Sequence, residues 1–553
     1  MAAYIDAQNT YQYDEEQPVL ENATYGPLGP SLYEYKNRPR RDTWAAVTYL
    51  AFMFLGFVGA IVSFAKTDGN MFAGKYSTAF YQNSTSCSLS QWTASNADVN
   101  KSAELSESNI ITLSWTILWL SVSFVVATGL SVLLLHLFRK YPVKMIYISV
   151  LAGICISIAF AIFAFTTGAW ALAIVQLFSA VTLLAAFFFM RSELALCGQL
   201  FGVAGRGLQA CPGTIISSIG VKVAGIFLLT FYVMAIICAA FVGAPEPYSL
   251  VEHVIITGGT GSDVGVCYSK YGYPVNCCEF LASGWAIGYC IFAALVLLWT
   301  VQVLLTVKQY IIADTLSQWY FAGAVEQNSL AETQPSSLRA LHHAMTSSFG
   351  SICFAALILA VIELLRSALR LSNRNASGIA AAICCIIKCF ADCILNLVEQ
   401  FTVFATIAVA ISGKGFIPAA MELFAILERN FLQTTTLWWI PGFCLKMLSL
   451  LLSLAWASVV YAISLASERS GGDMTMALIS FGAMLFVLHF VSSILLDGVN
   501  TIYICYAFDR DRKVISHSEI HQVYEAVPSL KGSLIQQPDG QVAYAVPVTH
   551  STA

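Results

Sequence analysis

Five side chains of this sequence carry the groups that recognise an organic cation, namely aromatic faces, an amide and a carboxylate. They are Trp115, Trp119, Trp299, Gln302 and Glu363. An aromatic face attracts a cation by about 0.5–2 kcal/mol, and a carboxylate inside hydrocarbon is costly enough to mark a functional position. The spacing places Trp115 with Trp119, and Trp299 with Gln302, on shared helical faces. We predict that these five residues bind a substrate.

The same residues also have a structural interpretation. Tryptophans are common in interfacial belts and in helix packing. Arg366 follows Glu363 by three residues, which allows an ion pair on one helical face. Lys222 has a simple interpretation too, because a long side chain can reach the membrane interface from within a helix. Residue types and spacing leave the substrate site and the packing role open.

No enzyme motif accompanies these residues. The sequence contains no phosphate-binding loop, Gly-rich dinucleotide turn, HExxH motif or nucleophile elbow. His342 and His343 fall in a polar linker, so we expect them to lie in water rather than to bind a metal. Cys385, Cys389 and Cys393 share one helical face, which favours packing over lipidation and favours both over a metal site. We therefore predict a protein that is not an enzyme and needs no cofactor.

The composition places these side chains in a membrane. Of the 553 residues, 58% are hydrophobic and only 11% are charged, whereas soluble proteins carry about 25% charged residues. This excludes a soluble protein of this size, a disordered chain and a nucleic-acid-binding protein. A transmembrane helix needs about 20 apolar residues. We predict an all-α polytopic bundle of ten spans: Thr43–Phe64, Ile111–Phe138, Met145–Thr167, Ala169–Met190, Ile215–Val242, Gly284–Thr306, Ser351–Leu371, Ile383–Ile411, Ile440–Leu465 and Met476–Leu496.

Lysine and arginine orient these spans. The basic run Lys36–Arg41 precedes the first span, and a second basic run, Arg510–Lys513, follows the last. Both termini are therefore predicted to be cytosolic, and the long loops 65–110 and 243–283 to be external. The domains that follow are a cytosolic tail (1–42), a transmembrane domain (43–506) and a second cytosolic tail (507–553). The tails are polar and are expected to be flexible.

Two features of the long loops fit an external, oxidising compartment. The first loop carries the glycosylation sequons at Asn83 and Asn100. Four of the 16 cysteines fall in the two loops and are disulfide candidates, and the second loop is predicted to be closed by a bond from Cys267 to Cys277 or Cys278. The four are Cys87, Cys267, Cys277 and Cys278. These features favour the plasma membrane, or an endomembrane or organelle on the secretory route.

One connection disagrees with this orientation. Ten spans place residues 372–382 outside, yet Arg366, Arg370, Arg374 and Lys388 flank that connection. Positive charge predicts the cytosolic side, whereas the sequon at Asn375 is compatible with the outside. The side and the depth of this connection stay open in the sequence.

Ordered motifs between about residues 190 and 510 resemble those of a known family. They are Leu-Trp299-Thr-Val-Gln302, Trp319-Tyr-Phe321, Ile411-Ser-Gly-Lys-Gly-Phe416, Arg429-Asn430 and Val499-Asn500-Thr with Cys505. By these motifs the chain resembles the choline transporter-like family (solute carrier family 44). The resemblance implies movement of choline or ethanolamine-type cations without ATP hydrolysis. The partners it implies are such a cation and membrane lipid, and no nucleic acid.

Two departures from the family pattern keep a second function open. Asp314 stands where the family has glycine, and Asn500 stands where it has aspartate, although Asp497 could substitute for that carboxylate. The first hypothesis is a secondary transporter, a facilitator or an antiporter, for choline or related organic cations. The alternative is a non-transporting membrane protein that organises a complex or senses lipid. Uptake of labelled choline into vesicles containing the purified protein would separate the two.

Overall fold

Long apolar helices form most of the chain in the computed structural model. The structure describes the following residues: 33, 38–72, 76, 78–89, 107–166, 170–189, 191–256, 265–322, 334–372, 379–430, 436–466, 473–512, 514, 516–517 and 520–521. The helices within them are α1 (Thr43–Lys66), α2 (Gly69–Phe72), α3 (Thr78–Asn83), α4 (Glu107–Lys140), α5 (Pro142–Thr166), α6 (Trp170–Phe189), α7 (Arg191–Ala210), α8 (Gly213–Ala240), α9 (Gly284–Ala322), α10 (Ser337–Met345), α11 (Phe349–Ser372), α12 (Ile379–Ser412), α13 (Phe416–Asn430), α14 (Thr436–Ala466) and α15 (Asp473–Arg512).

The predicted all-α membrane bundle is confirmed. Within the described residues, nine helices are long and apolar enough to cross a membrane, and they coincide with nine of the ten predicted spans. The remaining predicted span, Ala169–Met190, coincides with helix α6. The chain is an integral membrane protein. Helices α7, α10 and α13 are additional, because amphipathic segments with several polar residues carry no hydropathy signal of a span.

The two ends of the bundle differ in chemistry. The Ser351 hydroxyl at the start of α11 donates to Asp42 (2.5 Å), and Gly413 just after α12 lies beside Arg38. Residues 38–42 therefore mark one end, which we call the basic end. Asp68, just after α1, donates its backbone N–H to Phe241, just after α8. These residues mark the opposite end, which we call the disulfide end.

Two disulfides tie the loops together at the disulfide end. Cys87, after α3, is bonded to Cys278, and Cys267 is bonded to Cys277. The prediction of disulfides among these four cysteines is confirmed, and Cys277 is the partner of Cys267. Two small antiparallel sheets carry these bonds: β1 (Gly243–Pro247) pairs with β5 (Cys278–Ala282), and β3 (Gly265–Ser269) lies between β2 (Val251–Ile256) and β4 (Pro274–Val275).

The sequons fall partly within the described structure. Asn83 is the last residue of α3 and is half-buried beside the disulfide-bonded sheets. Asn83 therefore lies at the opposite end of the bundle from residues 38–42, in agreement with its place in the long loop 65–110. Asn100 and Asn375 lie outside the described residues.

Arg366 is one of the four basic residues that flank the connection whose charges conflict with its predicted side. Helix α11 begins and α12 ends at the basic end, so the end of α11 at Ser372 and the start of α12 at Ile379 are directed toward the disulfide end. The Arg366 guanidinium lies 3.5 Å from the Glu363 carboxylate and 2.5 Å from Glu399 on α12. Because it is neutralised inside the bundle, this arginine does not act as a free loop charge that holds the connection on the cytosolic side.

Helices α9 and α15 are much longer than the spans predicted for them. With 39 and 40 residues, each is about 60 Å long at 1.5 Å per residue. The predictions ended them at Thr306 and Leu496, just before Lys308 and Asp497. Those charges neutralise one another, because Lys308 lies 2.8 Å from Asp497. Helix α9 packs against α1, α7, α8, α10, α11, α12 and α15, so it is the central helix of the described bundle.

Candidate substrate cavity and basic-end cluster

A cavity of about 150 Å³ lies between α9, α11 and α12. Its lining contains four apolar and six polar or charged side chains: Gln302, Leu305, Thr306, Gln309, Leu359, Ile362, Glu363, Arg366, Glu399 and Val403. Each helix contributes residues spaced three, four or seven apart, which is the spacing of one helical face. The three apolar helices thus bring one polar stripe each to a common space, which we call the central cavity.

The central cavity carries one negative charge in excess. Arg366 lies between the carboxylates of Glu363 (3.5 Å) and Glu399 (2.5 Å), and its guanidinium also donates to the Asn396 side chain (2.6 Å). The Glu363 and Glu399 side chains keep 34% and 38% of their surface exposed, so the two carboxylates are not sealed off from a ligand. This arrangement suits a monovalent cation.

Amide groups complete the polar lining. Gln309 donates its side-chain N–H to the Val403 carbonyl (2.8 Å), which fixes its orientation across the α9–α12 interface. Gln302 lies two turns away on the same helix and is half-buried. An amide can both donate to and accept from a ligand hydroxyl. The cavity therefore offers charge recognition at one wall and hydrogen bonding at another.

The structure brings two of the five predicted binding residues together, Gln302 and Glu363, in the lining of the central cavity. Trp299 lies elsewhere on α9. Its indole N–H donates to the Cys353 carbonyl (3.2 Å), and its ring packs edge-on against Tyr49 (5.3 Å between centroids). Residues three apart differ by about 60° around a helix, so Trp299 and Gln302 face different neighbours.

Trp115 and Trp119 are half-buried on α4. That helix packs against α15, α7 and α5, whereas the central cavity is formed by α9, α11 and α12. The spacing of the two tryptophans placed them on one helical face, but spacing carries no information on which helix that face contacts.

A second polar cluster surrounds Asp314, which is completely buried on α9. Its carboxylate accepts a hydrogen bond from the Tyr33 hydroxyl, contacts Arg38 (3.5 Å) and lies 3.0 Å from His343 Nδ1. Arg38 also donates to the Tyr310 hydroxyl (3.0 Å). We call these five residues the Asp314 cluster. The expectation that His343 lies in water is wrong, because α10 folds back onto α9.

The environment of the Asp314 cluster raises the pKa values of both Tyr33 and Arg38. Burial, and then the neighbouring Asp314 carboxylate, raise the pKa of Tyr33 well above its usual value, so the phenol stays protonated and donates. Burial alone would lower the pKa of Arg38, but the Asp314 carboxylate together with Tyr310 and Tyr33 outweighs it and holds that pKa above its ordinary value. Arg38 is therefore charged at every physiological pH.

Residues 38–42 form a strap across the basic end. The Asp42 carboxylate accepts hydrogen bonds from Ser351 (2.5 Å) and from the Phe416 backbone N–H (2.7 Å), and so joins α11 to α13. The backbone of Arg41 and Asp42 lies directly on Gly350, where a Cβ would collide with it. The structure differs here from the expected flexible tail, because the side chains of Arg38 and Asp42 and the backbone of Arg41 contact the helices of the bundle.

Sequence reasoning identified Asp314 as a departure from a family pattern without seeing its partners. A signal was present, since an aspartate within Ile311-Ile-Ala-Asp-Thr must be paired or functional if that helix is buried. The basic run that precedes α1 was interpreted only as an orientation signal. No local pattern links two positions that lie more than 270 residues apart, as Arg38 and Asp314 do.

Comparison with known proteins places this architecture in a family. Residues 174–511 match the family described as plasma-membrane choline transporter. A CTL-like protein of Dictyostelium discoideum is 28% identical over 234 residues, 41% of this chain and 42% of that protein. Protein PNS1 of Saccharomyces cerevisiae is 24% identical over 434 residues, 75% of this chain and 74% of that protein. Choline transporter-like 2 of Anopheles gambiae is 24% identical over 221 residues, 39% of this chain and 28% of that protein.

The matched region extends from within α6 almost to the end of α15 and contains every residue of the central cavity. It also contains Asp314 and His343, whereas Tyr33 and Arg38 precede it. The chain spans about half the length of the Dictyostelium discoideum protein and of two further relatives that it matches. The resemblance seen in the sequence motifs is confirmed, and since the family match covers more than half of the chain, this protein belongs to the plasma-membrane choline transporter family.

Proposed function

We propose that this protein is a secondary transporter, a facilitator or an antiporter, that moves choline or a related organic cation, and that the central cavity binds the substrate. The observation that carries the proposal is the excess negative charge of the cavity, where Glu363 and Glu399 flank a single guanidinium. A relative in Anopheles gambiae is named choline transporter-like 2. Family membership and the charge of the cavity support the same class of substrate.

The size and the polar groups of the cavity fit such a ligand. An engineered cavity of about 150 Å³ in another protein holds benzene, which has six heavy atoms, and choline has seven. A quaternary ammonium has no N–H to donate, so attraction to a carboxylate is the main polar force available to it. The Gln302 amide is positioned to bind the hydroxyl of choline. In this conformation the described lining contains no aromatic ring, so charge rather than cation–π attraction leads recognition.

The Asp314 cluster lies on the side of the cavity that is nearer to the basic end along α9. Gln309 lines the cavity, and Asp314 lies five residues further along α9, about 7 Å away along the helix axis. A substrate that leaves along α9 toward the basic end passes the level of Arg38, Tyr310 and Asp314. Release of the strap would open this side, as alternating access requires. We assign the basic end to the cytosol and the disulfide end to the exterior, most simply at the plasma membrane.

Uptake into proteoliposomes tests the proposed function. Purified protein should carry labelled choline into vesicles at a rate that protein-free vesicles do not reach, and excess unlabelled choline inside should accelerate exchange. Correctly folded protein that gives no uptake and no exchange would contradict transport and would favour the alternative role in organising a complex or sensing lipid.

A pair of variants tests the strap. Asp42→Ala removes its contacts with Ser351 and Phe416, and we expect the exchange rate to change several-fold while the equilibrium affinity for choline stays the same. Asp68→Ala is the matched control, because Asp68 lies at the other end of α1, where it bonds Tyr76 (2.8 Å). Equal exchange rates in both variants and in the wild type would contradict a gating role for the strap.

A further inference from the structure

We propose that a second site, between α8, α14 and α15, binds the phosphate-bearing headgroup of an anionic phospholipid in the leaflet at the basic end. The site is formed by Lys222, Lys446 and His489, with Lys308 at its base. Its side chains belong to segments that are apolar enough to cross a membrane. It shares no residue with the central cavity, so the inference does not depend on the proposed transport function.

The geometry gathers positive charge on one face of α15. The Lys222 ammonium lies over the Phe486 ring (4.6 Å) and near Phe490 (5.8 Å). Lys308 donates to Ser493 on the same face (2.9 Å). His489 lies between these positions, and residues 486, 489, 490 and 493 share one side of the helix. The ammonium groups of Lys446, Lys308 and Lys222 are all near enough to act electrostatically on His489.

The charge of this cluster is not balanced by protein groups that the structure describes. Lys308 has a carboxylate partner, Asp497 at 2.8 Å. Within the described residues, neither Lys222 nor Lys446 has a carboxylate within 4 Å. Two positive charges therefore remain in membrane-crossing helices, and such charges are costly there unless a counter-charge or water reaches them.

Exposure and depth indicate a lipid as the counter-charge. Lys446 and His489 are exposed on the surface of the bundle, and Phe486 beside them is 44% exposed. Lys446 lies six residues inside the apolar segment that begins at Ile440, about 9 Å from its basic end. A lysine at that depth can extend to the headgroup level. Basic pockets between helices on one side of a membrane characteristically hold anionic headgroups.

Lipid binding by the full-length protein tests this site. We expect protein in nanodiscs with one part in five phosphatidylglycerol to unfold at a higher temperature than protein in pure phosphatidylcholine. Native mass spectrometry should show retained phosphatidylglycerol, with each of Lys222→Gln and Lys446→Gln lowering the apparent lipid affinity about five-fold. Lys446→Arg, which keeps the charge, should retain most of the affinity even if the glutamine variant folds poorly.

Controls separate a built site from general surface attraction and from a free anion. Lys144→Gln removes a basic-end lysine that lies over Tyr141 and outside the cluster, and it should leave lipid retention unchanged. Equal losses of lipid retention in Lys144→Gln and Lys446→Gln would overturn the proposal. So would thermal stabilisation of detergent-solubilised protein by inorganic phosphate to the same extent as by phosphatidylglycerol, because the site would then bind a free anion rather than a lipid.

Discussion

The central cavity and the Asp314 cluster lie one after the other along α9, yet they hold their carboxylates in opposite ways. Asp314 is completely buried and has Tyr33, Arg38 and His343 as partners. Glu363 and Glu399 share one arginine and keep more than a third of their side-chain surface exposed, 34% and 38% respectively. A fully paired charge holds structure together, whereas a partly paired and accessible charge remains free to attract a ligand. The comparison predicts that changes at Asp314 affect stability and changes at the cavity affect binding.

The largest effect is expected at Asp314. Asp314→Ala leaves the Arg38 guanidinium buried without its carboxylate, and breaking one side of a buried pair costs about 3–5 kcal/mol. The unfolding midpoint of purified protein in detergent should fall accordingly. The double variant Asp314→Ala with Arg38→Met should regain a large part of that stability, because no unpaired charge is then buried. A double variant no more stable than Asp314→Ala would show that the pair is not the source of the loss.

The next effect in size concerns Trp299, which packs against Tyr49, Phe52 and the Cys353 carbonyl. Trp299→Ala should destabilise the protein by about 3 kcal/mol, the lower bound for removing a buried tryptophan. The choline affinity of the protein that remains folded should be unchanged. Trp299→Phe serves as the control, since it keeps the ring contacts. Choline affinity that falls in the alanine variant, with normal stability, would instead place Trp299 in the substrate path.

A moderate and more specific effect is expected at Arg366. Arg366→Gln removes the one cation of the central cavity and leaves two carboxylates facing each other, so the protein should lose about 1 kcal/mol of stability. A bound cation would relieve that repulsion. Choline should therefore raise the unfolding temperature of Arg366→Gln more than that of the wild type. Lys414→Gln is the matched control, because its partner Glu422 lies outside the cavity. If choline raised the unfolding temperature of Arg366→Gln no more than that of the wild type, this would contradict the assignment of excess negative charge to the central cavity.

The smallest effect is expected at Gln302, whose amide can bind the hydroxyl of choline. Gln302→Leu should weaken choline binding by about 0.5–1.5 kcal/mol, the usual contribution of one hydrogen bond. Binding of tetramethylammonium, which has no hydroxyl, should change little. Competition of the two ligands against labelled choline measures the difference. Equal loss for both ligands would mean that Gln302 shapes the cavity without recognising the hydroxyl.

The sequence predicted the helices well and their partners poorly, for a physical reason. Apolar length is a local property, so the runs that include Thr43–Phe64 and Gly284–Thr306 identified membrane helices directly. The pairing of Glu363 with Arg366 was also local, because three residues along a helix place both on one face. The ends of α9 and α15 were missed because Lys308 and Asp497 neutralise each other only after the two helices pack.

In the candidate site too, the local sequence identified some residues, whereas others could be identified only after the helices pack. Gln302 and Glu363 were found from residue type and depth in a span, and they meet in one cavity. Gln309 and Glu399 were not selected as binding residues, since only the packing of α9 against α12 gives them a shared space. The role of Arg38 was the hardest to foresee. Its partner Asp314 lies more than 270 residues away, and composition marks the N-terminal segment as a polar tail.

Equilibrium binding of labelled choline to purified wild-type and Glu363→Gln protein tests the central assignment most directly. This variant leaves the pair of Arg366 with Glu399 intact, so the fold is retained while the excess negative charge of the cavity is lost. We predict an affinity about ten-fold lower, equivalent to about 1.4 kcal/mol, with an unchanged unfolding midpoint and with Glu422→Gln behaving as wild type. Wild-type affinity in Glu363→Gln would contradict the assignment of the central cavity as the cation site.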